Sequence, residues 1–556
     1  MLRTLNDLSY KFKKYLTFIG PGLVVSVSYL DPGNYSTSTS SGSMYQYKLC
    51  FIIFMANLFA VILQVLCVKL GTITGLDLAE MCRLHLSPKL NLFMYLCAEV
   101  AIIATDLAEV VGTAISLEIL FGIPLIYGVI ITVLDVLIIL MAYHKDGSLK
   151  QTKVFEILVS ILVMATCVCF ILELFKCDFP PGSGWEIFKG FLPVNKEIFK
   201  EKTALFLSCG IVGSTVMPHS LFLGSALVQP RLKDYDEKHN VKQNQNLLSA
   251  GSALGYHQPS STPLDHVSPP HSPSHPTVPI TRIRRISNGS MLIHKYKPSY
   301  AAIKYCLNYS YVELVLSLFI IAVFVNAAIL IVAGATLFGK PDAEDADLLS
   351  IYEMLVYYIS PTAGLLFALS MLFSGQSAGI VCTMAGQIIA EGFINWSIEP
   401  WKRRIITRVI AIVPVIIVIG IMGREGVAKV MNSSQVVLSF ILPIVSAPLI
   451  YFTCNKKYMT VERIDHGQLS INESSALLLN TNGADAGAGA GAGADTDTDV
   501  DRLNVDDALE TDITQPSKLV SFENGRFLRI TSILTWIVIT ALNVYLIIAF
   551  ANGASI

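Results

Sequence analysis

Charge is scarce in this chain of 556 residues: 15% are Asp, Glu, Lys or Arg, and the formal net charge is −2. A soluble domain carries about 25% charged residues, so an ordinary solvated surface is excluded, and no nucleic-acid partner is expected. Cysteine supplies no covalent frame either. Eleven is an odd number, and Cys50, Cys67, Cys97, Cys167, Cys169, Cys209 and Cys382 fall inside apolar runs, leaving only Cys177 in an expected outer loop. A disulfide framework is therefore excluded. Cys167 and Cys169 point about 200° apart on a helix and read as packing residues. A cleavable leader is also lacking by expectation, because Met1–Lys14 is polar and basic with no separate apolar core. The first apolar span must then direct insertion.

What the chain has is apolar length. Hydrophobic residues make up 53%, and runs of 18 or more recur at roughly 16–43, 49–70, 91–117, 124–143, 154–175, 203–228, 311–338, 357–390, 405–422, 433–453 and 526–550. Each can cross about 30 Å of hydrocarbon as a helix. The predicted fold class is an all-α integral membrane protein of about 11 transmembrane helices. Arg3, Lys11, Lys13 and Lys14 put the N-terminus in the cytoplasm. Lys145, Lys150, Lys153, Lys402, Arg403 and Arg404 fall on the same side, and the acidic stretch at 342–347 falls outside. The loop at 176–202 dissents with five lysines, diluted by Asp178, Glu186, Glu197 and Glu201.

This gives a cytoplasmic tail at 1–15, a first transmembrane part at 16–228, a cytoplasmic segment at 229–303, spans seven to ten at 304–453, a second cytoplasmic segment at 454–524, and a last span with a short exoplasmic tail at 525–556. The two segments are expected to lack a packed core: 259–279 holds seven prolines and 484–494 alternates Gly and Ala. The first also carries His239, His257, His266, His271, His275 and His294, a candidate metal trap, and Arg284-Arg285-Ile286-Ser287, a basic kinase-type pattern. The second carries Glu473 with Leu477 and Leu478, an acidic dileucine-type sorting pattern. Sorting or ubiquitin-type regulators are the partners these segments imply.

Two runs are interrupted by proline with polar neighbours: Asp31-Pro32-Gly33-Asn34 in the first and Met217-Pro218-His219 in the sixth. Irregular backbone survives at bilayer depth only where protein or a polar cavity surrounds it. Spans one to five and six to ten would be inverted repeats with the break in the first helix of each. Each proline frees a carbonyl, so oxygen near Ser28 and Ser214 joins Asp31, Asn34 and the Met217 thioether as candidate ligands. Sulfur favours Mn²⁺, Fe²⁺ or Cd²⁺ over Ca²⁺ and Mg²⁺. Taken singly, the same residues also read as structure: Asp31 as a helix cap, Asn34 as a polar neighbour, Met217 as packing. In the third span Glu99, Asp106 and Glu109 share about 80° of one helical face, an acidic stripe fit either to pass protons or to lock helices. Asp135 and Glu313 read as structural.

Together with ATDLAE at 104–109, AGQI at 385–388, EGF at 391–393 and SQVVLS at 434–439, the two broken motifs resemble the Nramp family of proton-coupled divalent-metal transporters. The likeness covers all the spans and leaves out the two cytoplasmic segments. The insert after the sixth span, with Ser220 and Gly224 where many members have Asn and His, resembles fungal members. The resemblance implies a LeuT-like 5+5 inverted repeat with unwound helices 1 and 6, moving Mn²⁺ or Fe²⁺, and also Cd²⁺ or Co²⁺, with H⁺ toward the cytosol. By motif it makes Asp31, Asn34 and Met217 side-chain ligands, with the Ser28 and Ser214 carbonyls and, on outer closure, Gln435. His219 takes a role in proton handling or gating, and Arg403 and Arg404 become partners of the acidic stripe. Metal and proton are then cargo, with no resident cofactor, in a plasma, endosomal or vacuolar membrane. A sodium-coupled amino-acid carrier of the same architecture is the alternative, a channel the next, and an enzyme is not expected.

Overall fold

The structure is a computed structural model that describes residues 20–132, 149–177, 179–193, 201–239, 296–340, 348–395, 400–422, 425–463 and 518–551. Among these, eight helices are long and apolar enough to cross a membrane. The broken first span, the helix that begins at 125 and is described to 132, and Pro400–Met422 account for the other expected spans.

The first span consists of Pro21–Val27 and Pro32–Tyr45, the second of Cys50–Thr74, the third of Pro88–Phe121 and the fifth of Leu149–Lys176. The sixth is broken like the first, into Lys202–Thr215 and Pro218–Ala226. The seventh runs Tyr300–Thr336 with a π-helical turn at Ser317–Ala322. Pro361–Ile394, Pro400–Met422, Glu425–Cys454 and Arg526–Ala551 are the eighth to eleventh. The third and eighth spans, equivalent members of the two halves, pack closely along their length, and the second half of the first span lies against the sixth, seventh and tenth.

Proline explains both breaks, with a side-chain cap at the first. Pro32 and Pro218 each occupy the first turn of a half-helix, where the missing N–H would have had no partner anyway. Asp31 caps the first with its side chain, so its structural reading holds alongside any other. Pro32–Tyr45 is small and polar rather than apolar, and almost wholly buried. Its hydroxyls bond back to its own carbonyls, Thr39 Oγ1 to Tyr35 at 2.6 Å and Ser41 Oγ to Thr37 at 2.6 Å. Gly42 leaves no room for a β-carbon against the backbone of Leu330 and Gly334, so the first and seventh spans meet at backbone contact.

Glu313, on the seventh span, anchors the start of the first. Its Oε1 accepts from the Gly20 and Gly22 N–H groups, each at 2.8 Å, and its Oε2 lies 3.6 Å from Arg231, which faces Glu156 at 3.9 Å. A carboxylate on a helix N-terminus satisfies otherwise open donors.

Short pieces at the edges of the two inserted segments are folded. Gln229–Lys238 continues as a helix after the sixth span, and its Asp236 accepts from Tyr296 Oη at 2.5 Å and Ser299 Oγ at 2.5 Å, tying the two ends of the insert together. Strands β1 (Thr460–Arg463) and β2 (Lys518–Ser521) pair antiparallel at the base of the second segment. Composition averaged over each segment hid these short pieces: Leu232 packs in a small cluster with Ala302 and Cys306, and Val461 joins the main core. Outside the membrane pattern Ser183–Gly190 and Leu348–Tyr358 form further helices. Of the six histidines of the first segment, His239 alone is described, its Nδ1 2.8 Å from the Tyr235 carbonyl. The other five, the kinase-type and dileucine patterns, Asp135 and the acidic stretch at 342–347 lie outside the described residues. None of the eleven cysteines forms a disulfide.

Candidate functional site

The two breaks meet. Asp31, Asn34, Ser214, Met217 and Gln435 are all buried to within 1%. Asp31 Oδ1 accepts from the Asn34 backbone N–H at 3.0 Å and from Asn34 Nδ2 at 2.8 Å, and the same Nδ2 donates to the Ser214 carbonyl at 2.9 Å. One asparagine therefore joins its own break to the other. Thr37 Oγ1 and Ser214 Oγ approach to 3.3 Å just beyond.

What these bonds leave over is informative. Asp31 Oδ2, Asn34 Oδ1, Ser28 Oγ, Thr215 Oγ1 and Gln435 Oε1 are buried and without a hydrogen-bond partner. Buried acceptors are nearly always satisfied, and each open one costs about 1–3 kcal/mol. Five such oxygens on the two breaks and the facing tenth span are suited to a cation. Met217, which caps the second half of the sixth span, brings the sulfur. Gln435 lies so close to Gly33 that a β-carbon there would collide with its carboxamide, and its Nε2 is held by Ser434 Oγ at 3.1 Å.

Other freed carbonyls are already occupied by residues the sequence did not mark. Asn326 Nδ2 donates to Tyr29 O at 3.1 Å and Ser374 Oγ to Leu30 O, so the seventh and eighth spans hold the first break open. Tyr29 Oη reaches Ser220 Oγ at 3.2 Å, and Gln64 Nε2 donates to both, at 3.0 and 2.9 Å. A buried Gln in the largely apolar run at 49–70 was the available signal. Gly224 lies against this Gln64, which leaves no space for a larger side chain.

His219 stands apart from the open oxygens: its Nδ1 lies 3.4 Å from Thr105 Oγ1 on the third span, beside Asp106 in sequence. The acidic stripe is paired. Arg403 Nη2 donates to Glu99 Oε1 at 2.5 Å near one end. Deeper in, Arg408 Nη1 lies 3.5 Å from Asp106 Oδ1 and 3.3 Å from Glu109 Oε2, all three buried. The expected second arginine was Arg404, whose side chain lies outside the described residues. Arg408, in an apolar run where a charge needs a partner, is the one the structure places on the stripe. Cys382 of the eighth span joins Asp106 and Glu109 within 4.8 Å.

Eight membrane-crossing helices among the described residues, with the first and sixth spans interrupted at facing breaks that are lined by open acceptors, define a membrane transporter of the broken-helix class. Residues 22–254 and 287–472 match the family model described as natural resistance-associated macrophage protein-like, and the chain belongs to this family, Nramp. It is 53% identical to the iron transporter SMF3 of Saccharomyces cerevisiae over 98% of both chains. It is 44% identical to the manganese transporter SMF1 of the same yeast, over 97% of this chain and 86% of that one. The divalent metal cation transporter MntH of Bradyrhizobium diazoefficiens is 36% identical over 81% and 84% of the two chains. In three dimensions the chain is similar to the Eremococcus coleocola manganese transporter, with a TM-score of 0.59 and 25% identity over 98% of this chain and 96% of that one. It is a multi-pass membrane metal transporter, not an enzyme.

Proposed function

We propose that this protein carries Mn²⁺ or Fe²⁺, with Cd²⁺ and Co²⁺ as further cargo, together with H⁺ toward the cytosol by alternating access. The observation that carries the reading is the cage at the breaks: Asn34 bound to Ser214 across the two halves, with Asp31 Oδ2 and Asn34 Oδ1 left open beside the Met217 segment. Hard oxygen admits any divalent ion, and thioether sulfur favours the transition metals over Ca²⁺ and Mg²⁺. The Ser28 and Ser214 carbonyls complete the shell in one state or another, and Gln435 joins as the outer side closes. The names of the yeast relatives support iron and manganese as substrates.

Proton coupling follows from the chemistry of binding. A carboxylate must be deprotonated to hold a metal, so metal arrival at Asp31 releases any proton there. His219, Asp106, Glu109 and Glu99, with Arg408 and Arg403, offer a polar route along the third span toward the cytosol. A divalent ion with one proton gains about 7 kcal/mol in crossing 100 mV, at about 2.3 kcal/mol per charge. The membrane is that of the cell surface, endosome or vacuole, with the N-terminus and both inserted segments cytoplasmic and open to sorting or ubiquitin-type regulators.

The test is radioactive manganese uptake into proteoliposomes holding the full chain, with and without an inward acid gradient. The gradient is expected to accelerate uptake severalfold and Asp31→Asn to abolish it. Correctly inserted protein that moves no metal refutes the reading.

A further inference from the structure

The fifth span carries a carboxyl group that the proposed cycle does not use. Glu173 is fully buried, and both its oxygens lack a hydrogen-bond partner. It lines a small cavity with Thr39 of the first span's outer half, Phe170 one turn earlier, Ala333 of the seventh span, Leu355 of the Leu348–Tyr358 helix and Phe367 of the eighth. The titratable groups that face it are Tyr35 and Cys169, neither of which bears positive charge. Among the described residues no Lys, Arg or His lines the cavity. The Tyr35 ring packs on Phe170 and Phe367 at 5.4 and 6.0 Å and follows Asn34 directly, so the cavity adjoins the half-helix that carries the metal ligands.

A bare carboxylate with neither hydrogen bond nor counter-charge is strongly disfavoured in such surroundings, whereas the neutral acid is tolerated. The walls that isolate it belong to the elements that must part if the outer side opens. We infer that Glu173 is a proton latch of the outer half: it holds a proton while Pro32–Tyr45, the seventh span and Leu348–Tyr358 close over it, and gives that proton to the external solution when they separate. The proton is drawn from and returned to outside water, so the latch adds no charge to the transported set. The inference rests on the alternating-access reading, since it needs an outer half that opens. Its sign is fixed: the closed form binds the extra proton, so acid outside favours closure and neutral pH favours opening.

Amide hydrogen exchange on the full chain in nanodiscs, without metal, reads this directly. After correction for intrinsic chemistry, residues 32–45 and 348–358 are expected to exchange faster at about pH 7.5 than at about pH 5.5. The ratio reaches at most about a hundredfold, the limit for one proton linked across two pH units. Glu173→Gln, which cannot ionise, is expected to lose the difference, and Glu173→Asp to keep it. No pH difference in the unmodified protein, or the same difference in Glu173→Gln, overturns the latch. Should Glu173→Gln fail to insert, loss of the difference in Glu173→Asp overturns it. Manganese uptake is measured alongside: Glu173→Gln is expected to retain it, and absence of uptake in the unmodified protein defeats the transport reading without altering the exchange result.

Discussion

Asn34 donates through Nδ2 to the Ser214 carbonyl at 2.9 Å while its own Oδ1 remains open. A single side chain thus fixes the spacing of the two breaks and offers an oxygen to what lies between them. Asn34→Ala removes both at once. Manganese uptake below saturation is expected to fall at least about tenfold, equivalent to about 1.4 kcal/mol of binding. The lost hydrogen bond costs only about 1 kcal/mol of stability. A melting curve in detergent separates the two, and uptake within twofold of the unmodified protein would contradict the cage.

Met217→Ala tests the sulfur. Calcium is expected to compete with manganese far better in the variant, while some manganese transport persists. Competition uptake across a panel of divalent ions gives the answer, and an unchanged ion preference removes the thioether from the selectivity argument.

At Gly33 the prediction concerns space. Gly33→Ala drives a methyl group into the Gln435 carboxamide, a clash of the overpacking kind that costs about 1–3 kcal/mol. Shortening the neighbour, as in Gly33→Ala with Gln435→Ala, is expected to restore the melting temperature because the two changes share one contact. Uptake is expected to stay low in the double variant, since the Gln435 oxygen is gone. Additive losses in stability would show that the two residues do not touch.

The paired arginines of the ninth span are not equal. Arg408 is 3% exposed between Asp106 and Glu109, whereas Arg403 is partly open at its bond to Glu99. Removing one partner of a buried pair leaves uncompensated charge and costs about 3–5 kcal/mol. Arg408→Ala is therefore expected to destabilise the protein clearly more than Arg403→Ala, by thermal melting of both. A larger loss in Arg403→Ala would reverse the assignment.

The candidate site stands out in the sequence because bilayer depth makes local chemistry conspicuous. Pro32 and Pro218 stand beside polar residues in apolar runs, unlike Pro414, Pro443 and Pro448 inside continuous helices, and Asp31, Asn34 and Met217 flank those prolines in the chain itself. The spans were legible from apolar length, though helices such as Tyr300–Thr336 run well past the hydrocarbon into polar sequence that hydropathy does not score. Residues that act through a partner distant in sequence were not visible. Asn326, Ser374 and Gln64 matter because of carbonyls and hydroxyls on other spans, and no spacing within their own helices shows that. Arg403 and Arg404 are named by family resemblance, while Arg408, alone in an apolar stretch, is the one the packing carries to Asp106 and Glu109. Glu173 had no motif about it and became notable only when its surroundings proved empty of cations.

The polar half-helix Pro32–Tyr45 has one more consequence. Its hydroxyls are mostly spent on its own backbone, and the outward ties it makes are few: Asn34 and Thr37 to Ser214 at its base, and Ser36 and Ser40 to Asn432 of the tenth span, at 2.9 and 3.2 Å. Asn432 lies one turn before Gln435 on the same helix. If this helix swings about its foot in the proposed cycle, the ties to Asn432 would carry Gln435 with it. Sealing the entrance and adding the last oxygen to the ion would then be one movement.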